Sequence, residues 1–359
     1  MSKRFILCLQ NSGFTIITKV GTMDFENKSQ APVTLADIAR ELGVSKSTVS
    51  RVVNCKGRIG PETRKRVQEM IAACNYVPNP VAKGLVLKRS YNIALVVPKD
   101  ADSGEVPFFQ NLILNTAEAV YKCGFDAILV VESNSDVTPL RRLIVNRKVD
   151  GVILTRIEEN DEAVKLLQKE KIPFVVIGTS RDESLCQVDS DQTAGCYEMT
   201  KFMISKGCRN VALLCGNKKH LVNGTRFKGF VYACNEAGIN LEKDCTVVWD
   251  ADEIGLTGIL PELMKENPQC LVCMDDVICV NVLKWLKMND YEVPTDIQVI
   301  SFYDNPVLEN NTPPVTALNV NVFKLSQRAS RLLVNLIEGK EVPSRTQVDY
   351  ELRIRESFR

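Results

Sequence analysis

The chain predicts a small all-α head followed by a larger α/β body built on parallel sheets. Residues 33–54, VTLADIARELGVSKSTVSRVVN, repeat apolar side chains at helical spacing on both sides of a glycine. From residue 91 onward, short apolar runs alternate with polar amphipathic stretches. Charge divides the same way: the total of +1 hides eleven Lys/Arg against four Asp/Glu over residues 33–90. That segment carries +7, the first 32 residues +2 and the remainder −8. A basic head on an acidic body points to a polyanion met by the head alone. At 359 residues, with 45% apolar and 25% charged content, the chain has room for two or three globular domains.

Residues 1–32 read as a tail. Their cationic start is interrupted by Gln10, Asn11, Ser12 and Gly13 before a signal core forms, and no run reaches the roughly 18–20 apolar residues of a membrane span. Met23 is a candidate translation start, which makes residues 1–22 a possible artefact. The 13 cysteines are odd in number and scattered, as expected for reduced thiols of a cytoplasmic protein. Cys270 and Cys273 form a C-x-x-C inside an apolar run that reads as a buried strand. With one histidine, His220, no metal site is expected, nor any cofactor.

In the head, Thr34 is suited to cap a helix carrying Leu35, Ile38, Ala39 and Leu42 on one face. Gly43 ends it and Ser45 recaps the chain. The second helix turns Val49, Val52 and Val53 inward and Lys46, Ser47, Ser50 and Arg51 outward. A helix-turn-helix with a cationic second helix is the pattern that enters a DNA major groove, although a plain helical hairpin shows the same apolar spacing. Gly60-Pro61-Glu62-Thr63 announces a third helix with Val67, Met70, Ile71 and Cys74 on its apolar face. A hinge at residues 80–90 follows, starting at Pro80 and weakened by Gly84, too short to be a stable helix alone.

ADIARELGVSKSTVSRVVN, GPETRKRV and NYVPNPVAKGL together resemble the head and hinge of the lactose/galactose repressor family of bacterial transcription regulators, and the likeness runs from about residue 33 to the end. The resemblance implies that Lys46, Ser47 and Arg51 reach base edges, Arg51 through two hydrogen bonds to guanine. Thr34, Ser45, Thr48 and Asn54 match positions that touch phosphates. Leu85 matches a hinge leucine that wedges into the minor groove, with Ala82 and Lys83 beside it; a linker residue that merely packs is the alternative. The domains implied are the tail 1–32, the helix-turn-helix 33–79, the hinge 80–90 and an effector-binding, dimerising body 91–359.

In the body, NIALVVP, FDAILVV, VDGVILT, PFVVIG, NVALLCG, CTVVW, QCLVCM and IQVISF read as strands apolar on both faces, hence parallel and covered by helices. One large sheet would satisfy this pattern. The family resemblance implies instead two periplasmic-binding-protein-like lobes, about 91–178 and 187–302, with a C-terminal segment crossing between them.

The same resemblance implies an effector site. Phe108 and Phe109 follow Pro107 in the family's P-[FY]-F, Arg226 is the arginine of R-x-x-G-F, and Asp276 is the aspartate of N-D-x-x-A. Trp249 and Asp250 fall near a further contact position, offset by one residue. An arginine and a carboxylate facing across a cleft suit vicinal hydroxyls; an ion pair between lobes with no ligand is the alternative. Several positions depart from the family pattern: Gly178 stands for an aspartate, Asp275-Asp276 for Asn-Asp, Tyr303 for an aspartate, and Asn321 for a proline. No nucleophile elbow or phosphate loop appears, so no enzyme is expected. The expected function is a homodimeric repressor that reads a pseudo-palindromic double-stranded operator under control of a sugar or related metabolite. A solute-binding protein is the alternative.

Overall fold

The computed structural model describes residues 33–53, 57–74, 76, 84, 89–99, 107–133 and 136–359. Asn54, Ala82, Lys83, Leu85 and residues 1–32 lie outside them. The chain separates into two compact units, Met1–Lys83 and Gly84–Arg359.

The first unit holds α1 (Leu35–Leu42), α2 (Lys46–Val53) and α3 (Pro61–Ala73). Thr34 and Asp37 form a capping box, the Thr34 hydroxyl accepting the Asp37 N–H at 3.3 Å while the Asp37 carboxylate takes the Thr34 N–H at 3.0 Å. Gly43 closes α1 at φ 66°, a left-handed backbone that glycine reaches without a Cβ clash. Ile38, Ala39, Val49, Val52 and Val67 make one small core, flanked by Leu35, Leu42, Val44, Met70 and Ile71. Arg66 ties α3 to α1 by donating to the Leu42 carbonyl at 3.3 Å.

The second unit contains two six-stranded sheets, one per lobe. In chain order it runs β1 (Asn92–Pro98), α4 (Pro107–Lys122), β2 (Asp126–Glu132), α5 (Thr138–Val145), β3 (Gly151–Leu154), α6 (Glu162–Glu170), β4 (Phe174–Ile177) and β5 (Gln187–Ser190). It continues through α7 (Gln192–Ser205), β6 (Val211–Leu214), α8 (Leu221–Glu236), β7 (Cys245–Val248), α9 (Glu253–Lys265), β8 (Cys270–Cys273), α10 (Asp276–Met288) and β9 (Gln298–Ser301). The last elements are α11 (Pro306–Glu309), β10 (Thr316–Val320), α12 (Val322–Ile337), β11 (Arg345–Val348) and β12 (Tyr350–Arg353).

The N-terminal lobe orders its strands β11-β5-β4-β3-β1-β2, all parallel. The C-terminal lobe orders them β12-β10-β9-β8-β6-β7, parallel except for β12 against β10. All eight apolar runs are strands. Four further strands, β5, β10, β11 and β12, carry polar residues such as Gln187, Asn319, Gln347 and Glu351 and lack the long apolar run that marks the others. The lobe boundary accordingly differs from the expected one: Gln187 pairs with Val176 of β4, so β5 belongs to the first lobe and the chain crosses into the second only at α7. It returns at α12, which packs on α4 and the first sheet, and crosses again between β11 and β12.

In both lobes the strand order reverses direction beside the first strand, between β1 and β3 and again between β6 and β8. Crevices at the carboxyl ends of strands at such reversals are where open α/β sheets bind ligands.

Candidate functional site

In the head, the solvent-facing side of α2 carries Lys46, Ser47 and Arg51, all exposed, while Val49 and Val52 anchor the opposite side. The Ser45 hydroxyl accepts the Thr48 N–H at 3.1 Å and lies 2.7 and 2.8 Å from the Ser47 and Thr48 hydroxyls. The helix N-terminus thus presents hydroxyls and a lysine on one side, with Arg51 one turn beyond Ser47, an arrangement able to meet phosphates and base edges. Thr34 sits at the N-terminus of α1, its hydroxyl engaged in the capping box.

In the body, a cavity of about 480 Å³ lies between the lobes at the predicted strand ends. Phe108, Phe109, Arg226 and Asp276 line it; Trp249 does not. The Trp249 ring packs instead edge-on against Phe227 at 5.3 Å with Lys218 over it, and Asp250, the next residue, reaches the cleft. The one-residue offset matters because successive residues leaving a strand point to opposite sides.

Arg226 and Asp276 also differ from the expected arrangement. Both come from the C-terminal lobe, on α8 and at the start of α10, so they neither oppose each other across the cleft nor pair the two lobes. Arg226, 7% exposed, donates through Nε to Gln192 Oε1 at 2.9 Å and through Nη1 to the Met274 carbonyl at 2.8 Å. Asp276, 3% exposed, accepts from Asn305 Nδ2 at 2.5 Å. Asp275 caps α10 by accepting the Ile278 N–H at 2.9 Å. The carboxylate that the N-terminal lobe contributes is Asp189 of β5, held by the Thr179 hydroxyl at 2.8 Å and the Ser190 N–H at 2.8 Å. It occupies the neighbourhood left by Gly178, whose φ of 113° turns the chain past the cleft.

Burial governs the charges. It raises Asp189 and Asp275 above the usual carboxylate range, Arg226 partly opposing the rise in both. Burial, and then the adjacent Asp275, lift Asp276 to about 6. Five aspartates (Asp189, Asp250, Asp252, Asp275, Asp276) and two arginines (Arg156, Arg226) line the cavity. Such a wall repels anions and accepts hydrogen bonds from hydroxyls.

An aromatic series crosses the interlobe space: Phe109 meets Phe108 at 5.2 Å, Phe108 meets Tyr303 edge-on at 5.3 Å, and the Arg226 guanidinium lies 5.8 Å from the Tyr303 ring centre. Tyr303, buried behind β9, therefore lines the cleft where a shorter side chain would leave Phe108 without that partner. Asn223 joins α8 to the loop after β6 by donating to the Asn217 carbonyl at 3.0 Å. A Cβ on Gly216 would lie 2.8 Å from Asn223 Nδ2 and 3.3 Å from Asp275 Oδ2, so a side chain there would displace the Asn223 amide. Asp189, Gln192 and Asn223 belong to no motif read in the sequence, whereas Tyr303 was marked there as a departure from the family's aspartate. Asn321, in place of the family's proline, caps α12 by accepting the Lys324 N–H at 2.9 Å.

Cys270 and Cys273 are buried within β8, and burial pushes the Cys270 thiol well up. Among the described residues, no group of three or more His, Cys, Asp or Glu is placed to hold a metal, and no helix is long and apolar enough to cross a membrane.

Residues 34–79 match the model of the bacterial regulatory proteins, lacI family, and residues 200–358 match a periplasmic binding protein-like domain. The chain is 31% identical over 333 residues to the HTH-type transcriptional regulator RegA of Clostridium saccharobutylicum, covering 90% of this chain and 98% of that one. It is 30% identical over 321 residues to MalR of Streptococcus pneumoniae, covering 86% and 94%. Among solved structures, the transcriptional regulator CelR–cellobiose complex aligns with a TM-score of 0.67 and 27% identity, over 90% of this chain and 99% of that one. The lac repressor dimer bound to operator and the anti-inducer ONPF aligns with a TM-score of 0.77 over 91% and 99%; at 21% identity it is a likeness of fold.

Proposed function

The chain belongs to the LacI family of bacterial regulatory proteins, which are DNA-binding transcriptional regulators, and on that premise we propose a repressor that releases or engages its operator when an uncharged carbohydrate occupies the interlobe cleft. A cleft whose aspartates outnumber its arginines carries the ligand assignment, because it favours a polyhydroxyl donor over a phosphate or carboxylate. Phe108 and Phe109 supply an apolar wall, and Arg226, Asp276 and Asp189 the polar contacts. The cellobiose held by a relative is of this chemical class.

Lys46, Ser47 and Arg51 are proposed to read base edges, with Thr34, Ser45, Thr48 and Asn54 on phosphates and Ala82, Lys83 and Leu85 at the minor groove. The exposed cationic side of α2 supports the first group. In vitro selection of bound DNA is expected to enrich a pseudo-palindrome. Arg51→Ala is expected to cost about 1–3 kcal/mol and relax preference at one base pair per half-site. Selection that enriches nothing, or wild-type binding by the variant, contradicts the assignment.

Two copies are proposed to pair through the N-terminal lobe. Edge strand β2 exposes Leu129 (51%) and Val131 (50%), and the outer face of α4 exposes Leu114 and Tyr121, an apolar surface suited to burial against a second copy. The double substitution Leu129→Lys with Val131→Lys is expected to yield a monomer in sedimentation velocity; an unchanged dimer mass rules out this face. The protein is proposed to act in the cytoplasm, by binding rather than turnover. A solute-binding protein without a regulatory role leaves the match over residues 34–79 unexplained.

A further inference from the structure

Beside the cleft, at the carboxyl ends of β1, β2 and β3, a second cavity of about 450 Å³ opens. Arg156, Asn217 and His220 line both cavities, so the two meet at these three side chains. A backbone bridge between Glu158 and His220 joins the lobes at the same place. The effector contacts derived above make no use of this space.

Its distinguishing group is Glu132, the last residue of β2. The side chain lines the cavity and is only 6% exposed. One carboxyl oxygen, Oε1, accepts the Leu140 N–H at 2.6 Å. The other, Oε2, accepts no hydrogen bond from any described residue. Buried polar atoms in native proteins are nearly always satisfied, and one left alone beside a cavity asks for a donor from whatever fills that cavity. Burial, with Asp136 and Asp161 nearby, lifts this carboxyl to about 7, so that near neutrality it can accept or donate. Around it, two further acids (Glu158, Asp161) and four basic side chains (Lys99, Arg156, Lys219, His220) line the cavity, with Val96, Val97 and Leu154 between. A wall of mixed charge, donors, acceptors and apolar surface suits a neutral group that both donates and accepts, as a sugar ring does.

We propose that this cavity is a second sugar subsite: the effector is a carbohydrate of two or more rings, one seated in the cleft and the next donating a hydroxyl to Glu132 Oε2 past Arg156, Asn217 and His220. The inference rests on the assignment of the cleft to a carbohydrate. It makes Glu132 a determinant of ligand length, separate from the groups that hold the first ring.

The test is isothermal titration of the full chain with glucose, galactose, cellobiose, maltose and lactose, repeated on Glu132→Gln and Glu132→Met. Glutamine keeps an acceptor for the Leu140 N–H but removes the second acceptor oxygen; methionine removes both. The wild type is expected to bind at least one disaccharide more tightly than either monosaccharide, and both variants to lose about tenfold or more of that affinity while monosaccharide binding is retained. Disaccharide affinity in Glu132→Gln equal to wild type, or disaccharides binding no tighter than monosaccharides, overturns the subsite and leaves the cleft assignment standing. Absence of binding by every sugar overturns the carbohydrate assignment and the subsite with it.

Discussion

Arg226→Ala is expected to lower affinity for the carbohydrate effector about a hundredfold or more, measured by titration with the sugar that gives the largest thermal shift. The guanidinium is the buried cation among Asp189, Asp275 and Asp276, and it opposes the burial-driven rise of all three. Truncation leaves Gln192 Oε1 and the Met274 carbonyl without their donor and removes the fork that meets paired hydroxyls. A lost charged hydrogen-bonding group of this kind costs about 2–5 kcal/mol in binding. Arg226→Lys, which keeps the charge and loses the fork, is expected to fall between. The pH dependence has a definite sign. Asp276 sits at about 6, so a hydroxyl donated to its carboxylate is favoured above that value, and affinity drops as pH falls through it. Folding stability moves the other way: the folded pKa exceeds the ordinary 3.8, so Asp276 lowers stability at neutral pH, and this loss is recovered as pH drops from about 6 toward 3.8. Wild-type affinity in Arg226→Ala would falsify the proposed polar floor of the cleft.

Val49→Asp is expected to abolish operator binding while leaving effector binding unchanged. Val49 is fully buried within the five-residue core that holds α1, α2 and α3 together. An unpaired carboxylate there costs several kcal/mol, comparable with the whole stability of a domain this small. Residues 84–359 form a separate compact unit with their own cores, so their thermal transition should persist. Circular dichroism should lose helical signal equivalent to the head alone, and anisotropy with selected DNA should show at least a hundredfold weaker binding, about 2.7 kcal/mol or more. Operator binding that survives this substitution contradicts the packing of α2 as the reading helix.

The elements legible in the sequence are those specified within a few neighbouring residues. Thr34 and Gly43 delimit α1 by capping chemistry alone, the structure adding Asp37 to the cap, and Pro61 starts α3 for the same kind of reason. The buried strands show through because a strand covered on both faces needs an unbroken apolar run, as in NIALVVP and CLVC. β5 and β11 carry no such run; they form because Gln187 and Arg345, far apart in the chain, pair at one edge of the first sheet. Arg226, Asp276, Phe108 and Phe109 were identifiable from family motifs, whereas Trp249 was placed on the wrong side of the chain by one residue.

By itself, then, the sequence determined a capped helix-turn-helix with a cationic face, a parallel α/β body and the family to which both belong, since these depend on short-range spacing and on motifs. The tertiary structure alone decided where the lobes divide, that Arg226 and Asp276 share a lobe, that Asp189 faces them, and that Glu132 ends beside a second cavity. Those outcomes depend on crossovers that bring together residues separated by tens to hundreds of positions, and no local pattern of side chains encodes which strand end will meet which.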